Sequence, residues 1–330
     1  MTRAVVTGAA GFIGSHLCAH LLAAGDSVLG IDVLTDYYDP ALKERNLRDL
    51  IPQPSFTFHR VDLLEAALEP LVDGADVVYH LAGQPGVRSS WGKDFELYAR
   101  RNVLASQRLL EAVRDRPLRK FVYASSSSVY GDAPVIPTGE SVCPRPLTPY
   151  GVTKLSAEHL CEIYRITFGL PAVSLRLFSV YGPRQRPDMA LARLIEAALT
   201  GGPFPLYGNG EQIRDFTYVH DVVTAMRDAA GSSFTGVANL GGDAPVSMKH
   251  AIAAVERLVG PVNLDPRPGS HGDARRTAAD IALAARAFGY RPRTELDDGL
   301  AAMADQTVID LARRPESGST GPRATWRGVT

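Results

Sequence analysis

The 330-residue chain has little cysteine, almost no net charge and no long apolar run. Its three cysteines, Cys18, Cys143 and Cys161, are odd in number and lack the paired spacing of a zinc site or a disulfide framework, so they read as reduced packing residues. With 35 basic against 36 acidic side chains, no global field draws the protein to nucleic acid or to an anionic membrane. A small molecule is the expected partner. The first apolar run, Ala4 to Val6, stops at Thr7-Gly8, short of a signal-peptide core, and no later stretch nears the roughly 20 apolar residues of a membrane span. A cytoplasmic setting follows as the expectation.

What is present is a rhythm. Short apolar runs at Arg3 to Val6, Ser27 to Ile31, Phe56 to Arg60, Val77 to His80, Lys120 to Ala124 and Ala172 to Leu175 read as strands. Helical periodicity fills the gaps, clearest over Gly14 to Ala24, Leu97 to Arg114 and Gly151 to Phe168. Strict alternation predicts an α/β fold of Rossmann type, a doubly wound parallel sheet covered on both faces. After about residue 180 proline and glycine become frequent and the elements shorter. Residues 1–180 are therefore assigned to a dinucleotide-binding domain to which later segments can return, and 181–312 to a smaller α/β lobe closing over a ligand at the sheet's carboxyl edge. Residues 313–330, rich in Ser, Gly, Pro and Arg, have little to bury and read as a loose tail.

Directly after the first strand stands TGAAGFIG, with Gly8, Gly11 and Gly14 opening the first helix and Phe12 and Ile13 between them. Gly8 permits a tight turn, Gly11 lets the backbone approach a pyrophosphate on the helix N-terminus, and Gly14 lets helix and strand pack closely. A glycine triplet alone is also what an ordinary turn carries; the strand before it and the helix after it select the dinucleotide reading. Asp32 ends the second strand, 18 residues beyond Gly14, where a carboxylate can accept bonds from ribose hydroxyls. It also repels a 2′-phosphate, and no arginine follows at Val33 or Leu34, which favours NAD over NADP. Asp62 and Leu63, after the third strand, are placed to meet the adenine.

At the other end of the site, Ser125 to Ser128 leave the fifth strand, and Tyr150-Gly-Val-Thr-Lys154 opens the next long helix. Tyr and Lys four apart share a helix face. A phenol, with a pKa of about 10, is a poor base at neutral pH unless a cation stabilises its anion, and Lys154 can supply one. Such a pair alone is frequent on surface helices. Its convergence with the hydroxyl run and the glycine turn on one sheet edge makes it a candidate catalytic pair.

TGAAGFIG, Asp32, HLAG at 80–83, SSSSVYG at 125–131, PYGVTK at 149–154 and RDFTYVHD at 214–221 together resemble the extended short-chain dehydrogenase/reductases that epimerise or dehydrate nucleotide sugars. QPGVRSS at 84–90 and RLFSVYGPRQRPDMA at 176–190 look most like the UDP-glucuronate 4-epimerases. The resemblance implies a UDP-sugar substrate, bound NAD, Tyr150 as acid/base with Ser126 and Lys154 beside it, and a homodimer built on the helices at 97–114 and 151–168. It also implies that Leu81, Ala82, Gly83, Gln84, Asn102 and the Phe178 backbone line the NAD. Tyr207 would lie beside the uracil and Arg214 on the diphosphate. The family's second diphosphate arginine falls on Arg267 or Arg275, and RPGSHGDARR leaves both open. Ser127, Ser128 and Ser179 would hold the sugar carboxylate, with Arg88 and Arg186 orienting it. Dehydratases of this group carry an Asp-Glu pair, and decarboxylases a Glu, where this chain has Ser127 and Ser128. UDP-glucose 4-epimerase stays as the closest enzyme alternative, then a UDP-glucuronate decarboxylase, and an NAD-binding sensor as the non-enzymatic one.

Overall fold

The computed structural model describes residues 1–269, 272 and 274–313. The tail expected over 313–330 lies outside the described residues apart from Arg313.

Six strands, β1 (Arg3–Thr7), β2 (Ser27–Asp32), β3 (Phe56–Arg60), β4 (Val77–His80), β5 (Lys120–Ser126) and β6 (Ala172–Leu177), pair in parallel in the order 3-2-1-4-5-6. Every residue of β4 and β5 is buried, as strands covered on both faces require. On one face the helices Phe12–Ala23 and Val219–Gly231 bury Leu17, Leu21, Val222 and Met226 against the sheet. On the other, Ala105–Val113 and Pro149–Phe168 bury Leu109, Leu110, Val113 and Tyr164. The strand order reverses between β1 and β4, and the crevice at the carboxyl ends beside that switch is where such sheets hold ligands.

One departure from expectation matters for function. The helix expected over Leu97 to Arg114 is interrupted: α-helical Phe95–Tyr98 and Ala105–Val113 flank a π-helical Ala99–Leu104. The wider turn lets Asn102, 2 % exposed, send its amide inward to Gln84 and Thr153 instead of to solvent. The chain also returns to the sheet late, as the assignment of 1–180 allowed, through strand Gly236–Leu240, parallel to β6 at its outer edge. The helix Val219–Gly231 comes back with it, so the region after 181 is divided between both layers.

The smaller lobe has its own core, built from Leu194, Ile195, Ile252, Val255, Leu300 and Met303 on the helices Ala190–Thr200, Met248–Leu258 and Leu296–Ala312. Strands Pro203–Tyr207 and Asn263–Arg267 pair in parallel beside it. Cys18 and Cys161 are buried and Cys143 is exposed, all three free. Among the described residues no helix is long and apolar enough to cross a membrane, and no group of side chains has metal-ligating geometry.

Candidate active site

Backbone contact builds the cofactor end. Gly8 adopts φ +74°, and a Cβ there would lie 2.8 Å from the Ala82 nitrogen. A Cβ on Gly14 would lie 2.0 Å from the Gly8 oxygen. Only glycine permits this closeness of strand and helix, which leaves the helix N-terminus bare toward the crevice. Asp32 at the end of β2 accepts from the Ala10 N–H at 3.1 Å and the Leu34 N–H at 2.8 Å, one bond per oxygen. A carboxylate has about four acceptor sites, so two stay available to hydroxyls. Asp62 likewise accepts from the Leu64 N–H at 2.9 Å.

The catalytic end depends on one well-capped helix. Thr148 accepts from the Gly151 N–H at 3.2 Å and Pro149 occupies the first turn, so Pro149–Phe168 starts where Tyr150 must stand. Gly151 allows that turn to press on β5's exit, since a Cβ there would meet the Ser128 carbonyl oxygen at 2.6 Å. Burial pushes the Tyr150 phenol above its ordinary value, while a hydrogen bond with Ser126 and the charge of Arg186 pull it back. Lys154, one turn on and 7 % exposed, sits 4.5 Å from the centre of the Tyr123 ring. Burial lowers its pKa to about 8, opposed by Cys161 and Glu158. Tyr98 backs Tyr150 edge-on, with ring centres 6.3 Å apart, and its hydroxyl meets the carbonyls of Pro85 and Gly86, each at 2.8 Å.

Both ends open into one cleft of about 790 Å³. Gly8, Gly11, Phe12, Ile13, Gly14, Asp32, Asp62 and Leu63 line it, as do Leu81, Ala82, Gly83, Gln84 and Asn102. Ser126, Ser127, Ser128, Tyr150, Lys154 and Ser179 form its far wall, with Arg88, Arg186, Tyr207 and Arg214 from the loops and the smaller lobe. The guanidinium of Arg88 lies 4.0 Å from the Tyr207 ring centre, spanning the cleft from the sheet side to the small lobe. Arg186 forms a fork on Asp188, with both bonds at 3.0 Å, and Tyr37 donates to the same carboxylate at 3.3 Å.

Three expected residues stand elsewhere. Phe178 is buried with Val129, Tyr130 and Ala279, its N–H given to Leu240, while its neighbours Leu177 and Ser179 face the cleft. Arg267 is held by Asp265 at 2.7 Å and Arg275 by Asp132 at 3.0 Å, and neither lines the cleft. Sequence reasoning missed Tyr38, Lys43, Tyr98, Arg101, Asp188 and Arg193. Asp188 follows Arg186 by two residues and would have been found by asking what balances that arginine; the others carry no local signal.

Comparison with known proteins agrees with this geometry. A model of the NAD dependent epimerase/dehydratase family matches residues 4–241. An uncharacterized UDP-glucose epimerase of Bacillus subtilis is 45 % identical over 305 residues, covering 90 % of this chain and 95 % of that one. A UDP-glucuronate 4-epimerase of Thermodesulfobacterium geofontis is 35 % identical over 302 residues, covering 90 % and 93 %. A crystal structure of the UDP-glucuronic acid 4-epimerase of Bacillus cereus, in complex with UDP-glucuronic acid and NAD, superimposes with a TM-score of 0.91 at 43 % identity, covering 94 % of this chain and all of that one. With its glycine-built crevice, its Ser126-Tyr150-Lys154 wall and these likenesses over nearly the whole length, this chain belongs to the NAD-dependent epimerase/dehydratase family.

Proposed function

We propose that this protein interconverts UDP-glucuronate and UDP-galacturonate by inverting carbon 4, as a cytoplasmic homodimer that keeps its NAD through each cycle. One observation carries the choice of sugar: Ser127, Ser128 and Ser179 face the cleft together, beside an Arg186 whose charge Asp188 already balances. A sugar carboxylate is then held by hydroxyl donors, not clamped by an unpaired cation, and the ring stays free to turn.

The crevice fits a dinucleotide, because glycines at 8 and 14 bring the strand, the turn and the helix N-terminus closer together than any Cβ would allow, and Asp32 keeps acceptor sites for ribose hydroxyls. NAD held by the Gly8–Gly14 turn and Asp32 would supply a reversible hydride acceptor for carbon 4. Tyr150 accepts the proton of the 4-hydroxyl as that hydride leaves, with Ser126 bonded to the same oxygen and Lys154 stabilising the phenolate. The 4-keto sugar turns over about its diphosphate link and presents its other face. Tyr150 then gives the proton back as the hydride returns, so the only net change is the configuration at carbon 4. A 4-keto uronate is a β-keto acid and loses carbon dioxide if its carboxylate bond aligns with the carbonyl. The serines oppose this by fixing the carboxylate, through charge-assisted bonds of about 1.5–3 kcal/mol each.

The 45 % likeness to an uncharacterized UDP-glucose epimerase keeps UDP-glucose as the second reading. The homodimer rests on Val152, Ile163, Ile166 and Phe168 of one helix and Leu97 and Leu104 of its neighbour, apolar and exposed on this protomer.

The deciding experiment incubates purified enzyme with UDP-glucuronate, or with UDP-glucose, without added NAD. UDP-galacturonate is expected, and denaturation should release NAD. Ser128→Ala with Ser179→Ala should slow epimerisation and yield a 4-keto pentose with carbon dioxide. Turnover of UDP-glucose alone would overturn the glucuronate assignment.

A further inference from the structure

His80, at the end of β4 and the first residue of HLAG, is fully buried and does not line the crevice. Its Nδ1 lies 2.8 Å from Thr7 Oγ1 and its Nε2 lies 2.9 Å from Ser106 Oγ. Donor and acceptor counting fixes which atom carries each proton. Ser106 Oγ gives its one proton to the Asn102 carbonyl at 2.6 Å, so it accepts from His80 and the Nε2 is protonated. Thr7 Oγ1 accepts from the Ala82 N–H at 3.2 Å and gives its own proton to the bare Nδ1.

Beyond Ser106 the chain of bonds continues. The Asn102 side chain accepts from the Gln84 N–H at 2.6 Å and donates to the Gln84 carbonyl at 3.1 Å, clasping that backbone from both sides. Its second N–H goes to Thr153 Oγ1 at 3.0 Å, and Thr153 gives its proton to the Tyr150 carbonyl at 2.8 Å. The π-helical turn makes this possible by aiming Asn102 inward. One run of directed hydrogen bonds thus leads from Ala82, on the cofactor wall, to the Asn102 backbone carbonyl, and a second leads from the Asn102 side chain to the backbone of the catalytic tyrosine, with Asn102 itself joining the two.

We propose that His80 is a positioning residue which, as the neutral Nε2-protonated tautomer, sets the spacing between the Ala82–Gln84 cofactor wall and the Tyr150 helix start. It acts through Ser106, Asn102 and Thr153 and touches neither sugar nor cofactor. A charged imidazolium would have two donors, and Thr7 would lose the acceptor for its proton. Burial and the nearby Lys154 keep the ring neutral by lowering its pKa to about 3. Neutrality matters because the polar line is directional: reversing one donor leaves a buried group without its partner.

The proposal rests on the epimerase reading for its rate measurements, and two of its readouts need no turnover. The variants are His80→Leu, which removes both contacts, His80→Gln, which can keep a donor and an acceptor, and Thr153→Val, which cuts the last link at nearly constant volume. Rates are taken per bound NAD on whichever nucleotide sugar the unsubstituted enzyme converts, so a wrong sugar assignment leaves the ratios intact. Displacing reacting groups by about 1 Å costs on the order of 100-fold. His80→Leu and Thr153→Val should therefore lose 10- to 100-fold in kcat with KM within twofold, and His80→Gln should recover most of it. With substrate deuterated at carbon 4, the isotope effect on kcat should rise in both impaired variants as hydride transfer becomes slower. NAD content of the purified protein should fall in His80→Leu, and ¹⁵N-histidine spectra of the native protein should show one ring neutral and Nε2-protonated from pH 5 to 8. Should His80→Leu fail to fold, Thr153→Val and the spectra decide. Unchanged kcat per bound NAD in Thr153→Val, an Nδ1-protonated or titrating His80, or a loss confined to KM or to melting temperature would overturn the proposal.

Discussion

Raising the pH should switch this enzyme off through Lys154 before any other group in the site. The lysine is almost fully buried, and desolvation lowers its pKa from 10.5 to about 8. At about 1.36 kcal/mol per pK unit this corresponds to roughly 3 kcal/mol of net cost to the charged form. A depressed cation is charged below its pKa and loses its proton as pH rises through it. The phenolate of Tyr150 then lacks its stabilising charge. kcat/KM should therefore bend downward near pH 8, falling about tenfold at pH 9 and about 100-fold at pH 10. Lys154→Arg, whose guanidinium stays charged throughout, should be slower at neutral pH because it cannot take the same place over Tyr123, yet its profile should lack this bend. The assay follows product formation from UDP-glucuronate across pH 6 to 10, with melting temperature checked at each pH. A native profile flat to pH 10, or a bend that survives in Lys154→Arg, would refute the reasoning.

Tyr150→Phe removes the proposed proton acceptor while leaving the ring against Tyr98; turnover should drop about 100- to 10,000-fold with bound NAD unchanged, and near-normal turnover would transfer the role elsewhere. Gly14→Ala should cost about 1–3 kcal/mol and leave the purified protein almost free of NAD, since the new methyl group faces a backbone oxygen that cannot yield; full NAD content would refute the close-approach argument. Sedimentation at micromolar concentration should show a dimer that Ile166→Glu converts to monomer, and a monomeric native protein would rule out the helix-face interface.

The first half of the fold was legible because its signals are local. Strands β3 and β4 fall where the apolar runs placed them, and β5 and β6 run two residues further, since burial on both faces extends pairing past the apolar run into Ser125-Ser126 and Arg176-Leu177. Arg176 can lie in a buried strand because Glu158 meets it at 2.6 Å, a pairing 18 residues apart that no periodicity reveals. The π-helical turn escaped notice for the same reason: the contact it permits joins Asn102 to Thr153 across 51 residues. Strand Gly236–Leu240 is brief and follows a region of mixed pattern, and only the open edge of β6 explains its return. In the site, motif residues tied to backbone geometry were readable, whereas Lys43 and Tyr98 depend on where the helices Pro40–Leu47 and Phe95–Tyr98 come to rest against the rest of the fold. Arg267 shows the converse, since its neighbour two residues earlier holds it outside the cleft.

The stack of Arg88 on Tyr207 fastens one wall of the cleft to the other like a clasp. A cation–π contact of this kind contributes about 0.5–2 kcal/mol. In the proposed cycle the hazard comes midway, when a ketone that slips out strands the enzyme with its hydride unreturned. Fidelity then becomes a race between two clocks, the turning of the ketone and the release of the clasp, and each escape is a turnover that never completes.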